Sequence, residues 1–322
     1  MSTYPELHLY IDGKWRRCAK DLPVLNPATG EEIGRLPHAS IADLDDALAA
    51  AEKGFETWRR VAPIDRAKVL LKAAALMRER QEEIALAITA EHGKPLPQAR
   101  LEVIRGCEFF EWDAGEATRT YGRVIPSAPG VRYIVHHQPI GVVAAFSPWN
   151  FPMSQPCRKV AGAIAAGCSI ILKAAEETPA GALHIAKALH DAGLPPGVCN
   201  LVFGAPAEIS DHLIRQEAVR LVAFTGSTTV GTHLTTLAAQ HMTPVLMELG
   251  GHAPVIVCED TDVEAAALSG AVRKMRNAGQ VCTSPTRFFV HESIFEEYAD
   301  IFVRRAAATV VGNGMDPGVE MG

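Results

Sequence analysis

The chain has 322 residues, 48% of them apolar and 21% charged, with a formal net charge of −6. That is ample apolar material for a core, at a length that usually holds two domains, and the mild acidity without a Lys/Arg block argues against a nucleic-acid binder. No apolar run approaches the ~20 residues that span a bilayer, the opening MSTYPELHLYIDGKW has no signal-peptide core, and seven scattered cysteines with neither C-x-x-C nor H-E-x-x-H fit a reducing cytoplasm, without a disulfide framework or metal site.

In chain order, the opening segment is mostly helical by pattern. Ser40, with Asp43 three residues on, predicts the start of a helix over IADLDDALAAAEKGFETWRR. Pro63 opens a second helix running to His92-Gly93, and Leu96 to about Tyr121 reads as a third. GRVIPSAPGVRYIVHHQP follows, two short β-like runs around a Pro/Gly turn. From Pro139 the apolar runs GVVAAFS, CSIILKA, VCNLVFG, VRLVAFTG and TPVLMELGG alternate with helical stretches at about 155–166, 179–192, 206–216 and 228–240. Strands apolar on both faces and separated by helices predict an α/β fold with a doubly wound parallel sheet. Such sheets bind ligands at the carboxyl ends of their strands, and the words SPWNFP, KAAEETP, FTGSTTVG and MELGGH all fall there. After Pro254 a strand, a helix over about 262–278 and the strand RFFVH begin a second α/β unit. It stops at Gly322 in loop-like sequence, so a shortened chain with a partial second domain is expected.

Each candidate site residue also has a plain structural explanation. GSTTVG, Gly226 to Gly231, follows a strand and opens a helix, where free backbone N–H groups suit a pyrophosphate; taken alone it is equally an ordinary strand-to-helix turn. Lys173 and Glu176 at the end of CSIILK suit a nucleotide ribose, or form a surface ion pair. Glu248 in MELGG is expected to be partly desolvated and to serve as a general base, or to be a loop acid. Asn150 in SPWNFP is a hydrogen-bond donor held between aromatic and proline residues, or an Asx turn. Cys282 in NAGQVCTSP has no histidine nearby in sequence, and a lone cysteine is more often a core residue than a nucleophile.

SPWNFP, K-x-x-E-ETP, FTGSTTVG, MELGGH and NAGQVC occur in this order between residues 147 and 282. Together they resemble the aldehyde dehydrogenase superfamily, and the similarity covers the whole chain. The resemblance implies a Rossmann-like coenzyme domain over 1–121 and 139–248, a β-arm at 122–138 that pairs subunits into homodimers or homotetramers, and a partial catalytic domain over 249–322. It implies NAD as coenzyme, with NADP as an alternative that Glu176 disfavours, bound through Trp149, Lys173, Glu176, Gly226, Ser227, Gly231, Leu249 and Gly250. Cys282 becomes the nucleophile, and Asn150 with the Cys282 backbone N–H holds the oxyanion of the thiohemiacetal. Glu248 activates the water that hydrolyses the thioester and helps to ionise the thiol earlier.

Arg158 and Arg276 fall where relatives acting on uncharged aldehydes carry non-basic residues, and semialdehyde dehydrogenases of the succinate-semialdehyde type carry arginines at both places. Two guanidinium groups near the thiol suit a distal carboxylate, as in succinate semialdehyde or 2-oxoglutarate semialdehyde; otherwise either arginine pairs with a surface acid. His252 stands where most relatives have Lys, and Ala174 where Pro is usual. The segments that follow Gly322 in relatives hold the nicotinamide ribose and complete the oligomer sheet. A catalytically impaired dinucleotide-binding relative is therefore the alternative, with a thiol hydrolase and a CoA-acylating enzyme behind it.

Overall fold

The computed structural model describes residues 4–322. The chain opens with two hairpins that the helical reading of this segment passed over: β1 (Leu9–Ile11) with β2 (Lys14–Arg16), and β3 (Asp21–Leu25) with β4 (Glu32–Pro37). The signal for the first was Asp12-Gly13, both at positive φ (50° and 74°), the Asp-Gly pair that a two-residue hairpin turn favours. α1 (Ile41–Trp58) starts as expected, with Ser40 and Asp43 forming a reciprocal capping box.

The helix expected from Pro63 to His92 is two helices, α2 (Pro63–Glu79) and α3 (Gln81–His92). No Pro or Gly breaks them; the cause is tertiary. Arg80, at φ −94° and ψ 15°, pairs with Asp191 at 2.7 Å, and the Gln81 side chain donates to the Arg100 carbonyl at 3.1 Å. α4 (Leu96–Ala117) ends before Tyr121 because the Thr118 and Thr120 hydroxyls donate to the Gly115 and Ala117 carbonyls, which a continuing helix would use. β5 (Arg123–Ile125) and β6 (Tyr133–Val135) form an antiparallel hairpin with Val124 73% exposed.

The central unit follows the predicted alternation: β7 (Val142–Phe146), α5 (Ser154–Ala166), β8 (Ser169–Lys173), α6 (Ala180–Ala192), β9 (Cys199–Val202), α7 (Pro206–Ile214), β10 (Val219–Thr225), α8 (Thr228–Ala239) and β11 (Val245–Glu248). The seven-stranded sheet runs β11-β10-β7-β8-β9-β1-β2, parallel from β11 to β9, with the N-terminal hairpin added antiparallel at one edge. α1 packs on β8 and β9 from one side, with α7 and α8 beside it, and α5 and α6 from the other, backed by α2 to α4. Gly54 and Gly197 permit the close approach of α1, since a Cβ on Gly54 would lie 2.3 Å from the Gly197 carbonyl carbon.

Every residue of β7 and β8 is buried. β11 departs from the expectation of strands buried on both faces: it is the sheet edge, alternate residues are open, and Leu246 is 66% exposed. The second α/β unit holds β12 (Val255–Val257), α9 (Val263–Met275), β13 (Phe288–Val290) and α10 (Phe295–Ala307) around a small cluster of Val257, Ala267 and Tyr298. α9 ends short of the expected 278 because Arg276 leaves the helical region at ψ 134°, and the Asn277 and Ala278 that follow are left-handed, at φ 53° and 56°. Among the described residues no helix is long and apolar enough to cross a membrane.

Candidate active site

The carboxyl ends of β7, β8, β10 and β11 bring the separate words of the sequence to one edge of the sheet. β8 ends on Lys173, whose Nζ donates to Glu176 at 2.6 Å. Burial lowers the Lys173 pKa and the Glu176 charge opposes the shift; Glu176 keeps a partly open carboxylate. β10 runs into Gly226, whose N–H is used by the Glu248 carbonyl at 3.1 Å. Ser227 is the N-cap of α8 and accepts from the Val230 N–H at 3.3 Å. Gly231 is small for a packing reason, because a Cβ there would meet the Leu249 side chain at 2.5 Å. The Gly250 backbone is open, with nothing within 4 Å of an added Cβ. Trp149 is 40% exposed and its ring lies 5.8 Å from His92.

The loop after β7 and the loop before Cys282 are tied together. The Asn150 side-chain amide donates to the Gln280 carbonyl at 2.9 Å, and its backbone carbonyl accepts from Lys94 Nζ at 3.1 Å and Asn277 Nδ2 at 3.0 Å. Lys94 is itself buried against Glu102 at 2.5 Å. Glu102 accepts in turn from the Met153 and Ser154 N–H groups, at 2.9 and 3.1 Å, where α5 begins.

Cys282 is half-buried, and the Gly250-Gly251 turn lies against it: a Cβ on Gly251 would sit 3.7 Å from the Cys282 carbonyl oxygen. Burial raises the thiol pKa first, the Glu248 charge and a polar contact with its carboxylate raise it further, and the Thr283 and Cys282 N–H groups oppose this. One expectation about Glu248 needs correction: it is exposed rather than desolvated, because β11 is an edge strand. Its charge adds to the effect of burial in disfavouring the resting thiolate.

Cys282 opens into a pocket of about 370 Å³ that it shares with Arg105, Phe109, Phe151, Arg158 and Arg276. The Arg158 guanidinium lies 4.3 Å from the Phe109 ring centre, and that of Arg276 5.7 Å from Phe151. Among the described residues neither has a carboxylate within ion-pair distance, so the surface-pair explanation fails for both, whereas Arg105 pairs with Glu108 at 2.9 Å.

The sequence pointed to neither Lys94 nor Glu102, nor to Lys159. Lys159 donates to the Thr225 hydroxyl at 2.5 Å, at the end of β10, and burial lowers its pKa to about 8 against the pull of Glu248. The available signals were charged residues inside apolar helical stretches, Glu102 in LEV and Lys159 in KVAGAI.

A doubly wound α/β protein with a cysteine set into the carboxyl edge of its sheet, facing a cationic and aromatic pocket, is the class defined so far. The aldehyde dehydrogenase family model matches residues 15–322. The chain is 48% identical over 317 residues to 4-(hydroxymethyl)benzenesulfonate dehydrogenase TsaD1 of Comamonas testosteroni, covering 98% of this chain and 66% of that one. It is 42% identical over 316 residues to 3-sulfolactaldehyde dehydrogenase of Pseudomonas putida, covering 97% and 65%. The crystal structure of succinate-semialdehyde dehydrogenase from Burkholderia pseudomallei superposes with a TM-score of 0.96 at 38% identity, covering 100% of this chain and 67% of that one. The chain therefore spans just under two thirds of the length of the curated relatives it matches. It belongs to the aldehyde dehydrogenase family.

Proposed function

We propose that this chain carries the coenzyme site and the nucleophile of an NAD(P)-dependent dehydrogenase that oxidises an aldehyde bearing a distal anionic group to the acid. The observation that carries this reading is the shared pocket: Cys282 opens onto two guanidinium groups, Arg158 and Arg276, neither of which has a carboxylate within ion-pair distance among the described residues. The distal group is taken first as a carboxylate, as in succinate semialdehyde or 2-oxoglutarate semialdehyde. The relatives named for sulfonates and for a semialdehyde support an anion at that end.

The residues at the sheet edge fit a dinucleotide. Lys173 holds Glu176 with an open carboxylate face suited to ribose hydroxyls, and that charge favours NAD over its 2′-phosphorylated form. The exposed N-terminus of α8, after Gly226 and Ser227, suits a pyrophosphate, with Trp149, Gly231, Leu249 and Gly250 around it. When bound, the coenzyme supplies the hydride acceptor.

The Cys282 thiol loses its proton to solvent, and the sulfur adds to the aldehyde carbon as the C=O π electrons move onto the oxygen. The Asn150 amide, held by its bond to Gln280, has a second N–H for the resulting oxyanion, and the Cys282 backbone N–H is the other donor. Loss of hydride leaves an acyl thioester on Cys282. Glu248, exposed beside the sulfur, takes a proton from the water that attacks the thioester, and this releases the acid and the thiol. The segments 1–121 and 139–248 act as the coenzyme domain and 249–322 as the catalytic part. The exposed hairpin at 122–138 pairs with a second copy in a cytoplasmic homodimer or homotetramer.

The test is NADH formation from succinate semialdehyde, 2-oxoglutarate semialdehyde, a sulfonate-bearing aldehyde and an uncharged aldehyde of similar length, with Cys282→Ala alongside. Turnover confined to the anionic aldehydes and abolished in Cys282→Ala is expected. Equal rates on the uncharged aldehyde contradict the role of Arg158 and Arg276, and activity surviving in Cys282→Ala contradicts the mechanism.

A further inference from the structure

Asn277 occupies an unusual place. It is 5% exposed, lies five residues before Cys282, and adopts a left-handed backbone at φ 53° and ψ 36° just past the end of α9. Asn tolerates that region better than most residues, so the position selects it partly on backbone grounds. The side chain adds something the backbone does not require. Its Nδ2 donates to the Asn150 carbonyl at 3.0 Å and to the Gln280 carbonyl at 3.3 Å. The second of these carbonyls also accepts the Asn150 amide at 2.9 Å. One buried amide group thus holds both the main chain of Asn150 and the acceptor that fixes the Asn150 side chain. Its Oδ1 is left buried with no partner, a cost of the kind that folds rarely tolerate without return. The loop is anchored from its far side as well, because the Asn277 N–H donates to the Gln98 side chain at 3.3 Å and the Gln280 N–H to the Asn277 carbonyl at 3.0 Å.

We propose that Asn277 is a positioning residue, whose side-chain amide fixes the Asn150 amide against the loop that leads to Cys282, so that its free N–H meets the oxyanion of the adduct. This rests on the assignment of Cys282 and Asn150 made above. Preorganised donors are effective because they need no reorientation when charge develops, and a donor swung off line loses most of that benefit. Asn277 itself touches no reacting atom. Its effect passes through the orientation of Asn150, with Lys94 as the second anchor on the same carbonyl.

Two variants separate the side chain from the backbone. Asn277→Gly keeps the left-handed conformation and removes both donors, and Asn277→Asp keeps the size and turns the donor into an acceptor facing two carbonyls. The measurement needs no turnover: succinate semialdehyde, forming a reversible adduct on the sulfur, protects Cys282 from iodoacetamide, and peptide mass mapping reads that cysteine apart from the others. The aldehyde concentration giving half protection is expected to rise about tenfold in Asn277→Gly and more in Asn277→Asp. The alkylation rate without aldehyde is expected to stay within about twofold of the parent, because the thiol's own surroundings are unchanged. Unaltered protection in both variants overturns the proposal. So does an equal change in the bare alkylation rate, which would make Asn277 a scaffold for the cysteine loop alone. If the parent chain gains no protection, the assignment of Cys282 as the aldehyde's nucleophile fails, and the proposal fails with it.

Discussion

β8 and β11 belong to one sheet and both end on residues assigned to the site, yet every residue of β8 is buried while β11 alternates between half-buried and open. The difference lies in what covers them. β8 sits in the middle of the order with α1 on one face and α5 on the other, and β11 is an edge strand beside α8. Lys173, at the end of β8, is therefore fixed by packing and by its ion pair, while Glu248 at the end of β11 stands in solvent beside the thiol. The proposed site thus has a packed side that holds Asn150 and an open side that carries Glu248, and these halves should respond differently to substitution.

The largest effect is expected at the packed side. Glu102→Ala removes the partner of buried Lys94 and the acceptor for two N–H groups of α5, and should cost about 3–5 kcal/mol in denaturant unfolding. A loss below 1 kcal/mol would mean that this pair does not anchor the loop. Next comes the contrast between the strands: Ile171→Ala in β8 should cost ~2–5 kcal/mol and Leu246→Ala in β11 under about 0.5 kcal/mol. Similar losses at both would erase the distinction drawn here.

The smallest effect concerns chemistry on the open side. Burial raises the Cys282 thiol pKa and the Glu248 charge raises it further, so Glu248→Gln should lower the thiol pKa and speed iodoacetamide alkylation near neutral pH by up to about tenfold. The sign follows from the acid: a raised thiol pKa means less thiolate at a given pH, and the alkylation midpoint should move to lower pH once the neighbouring charge is gone. A slower reaction in Glu248→Gln would instead make Glu248 the base that ionises the thiol.

The alternation of buried strands and helices from Val142 onward was legible because period and composition agree over long stretches. Ser40, Pro63 and Gly93 marked helix ends by local chemistry that survives in the fold. The N-terminal hairpins escape the pattern because their strands are only three to six residues long, and the Asp-Gly signal of the first sits beside few alternating residues. The break at Arg80 is invisible in sequence, since Asp191 lies 111 positions away. The same holds at the site. Cys282, Glu248 and Asn150 stood out through their ordered words, but the exposure of Glu248 depends on what flanks β11. Lys94 and Asn277 meet at the Asn150 carbonyl only once the chain has folded.

The central claim is that Cys282 becomes acylated by the aldehyde and that Glu248 releases the acid. The direct measurement is peptide mass spectrometry of Glu248→Gln, acid-quenched after mixing with NAD and succinate semialdehyde. The account predicts the succinyl mass on the peptide containing Cys282, present only when both compounds are added. An unmodified Cys282 together with NADH formation, or the acyl group on another residue, would contradict it.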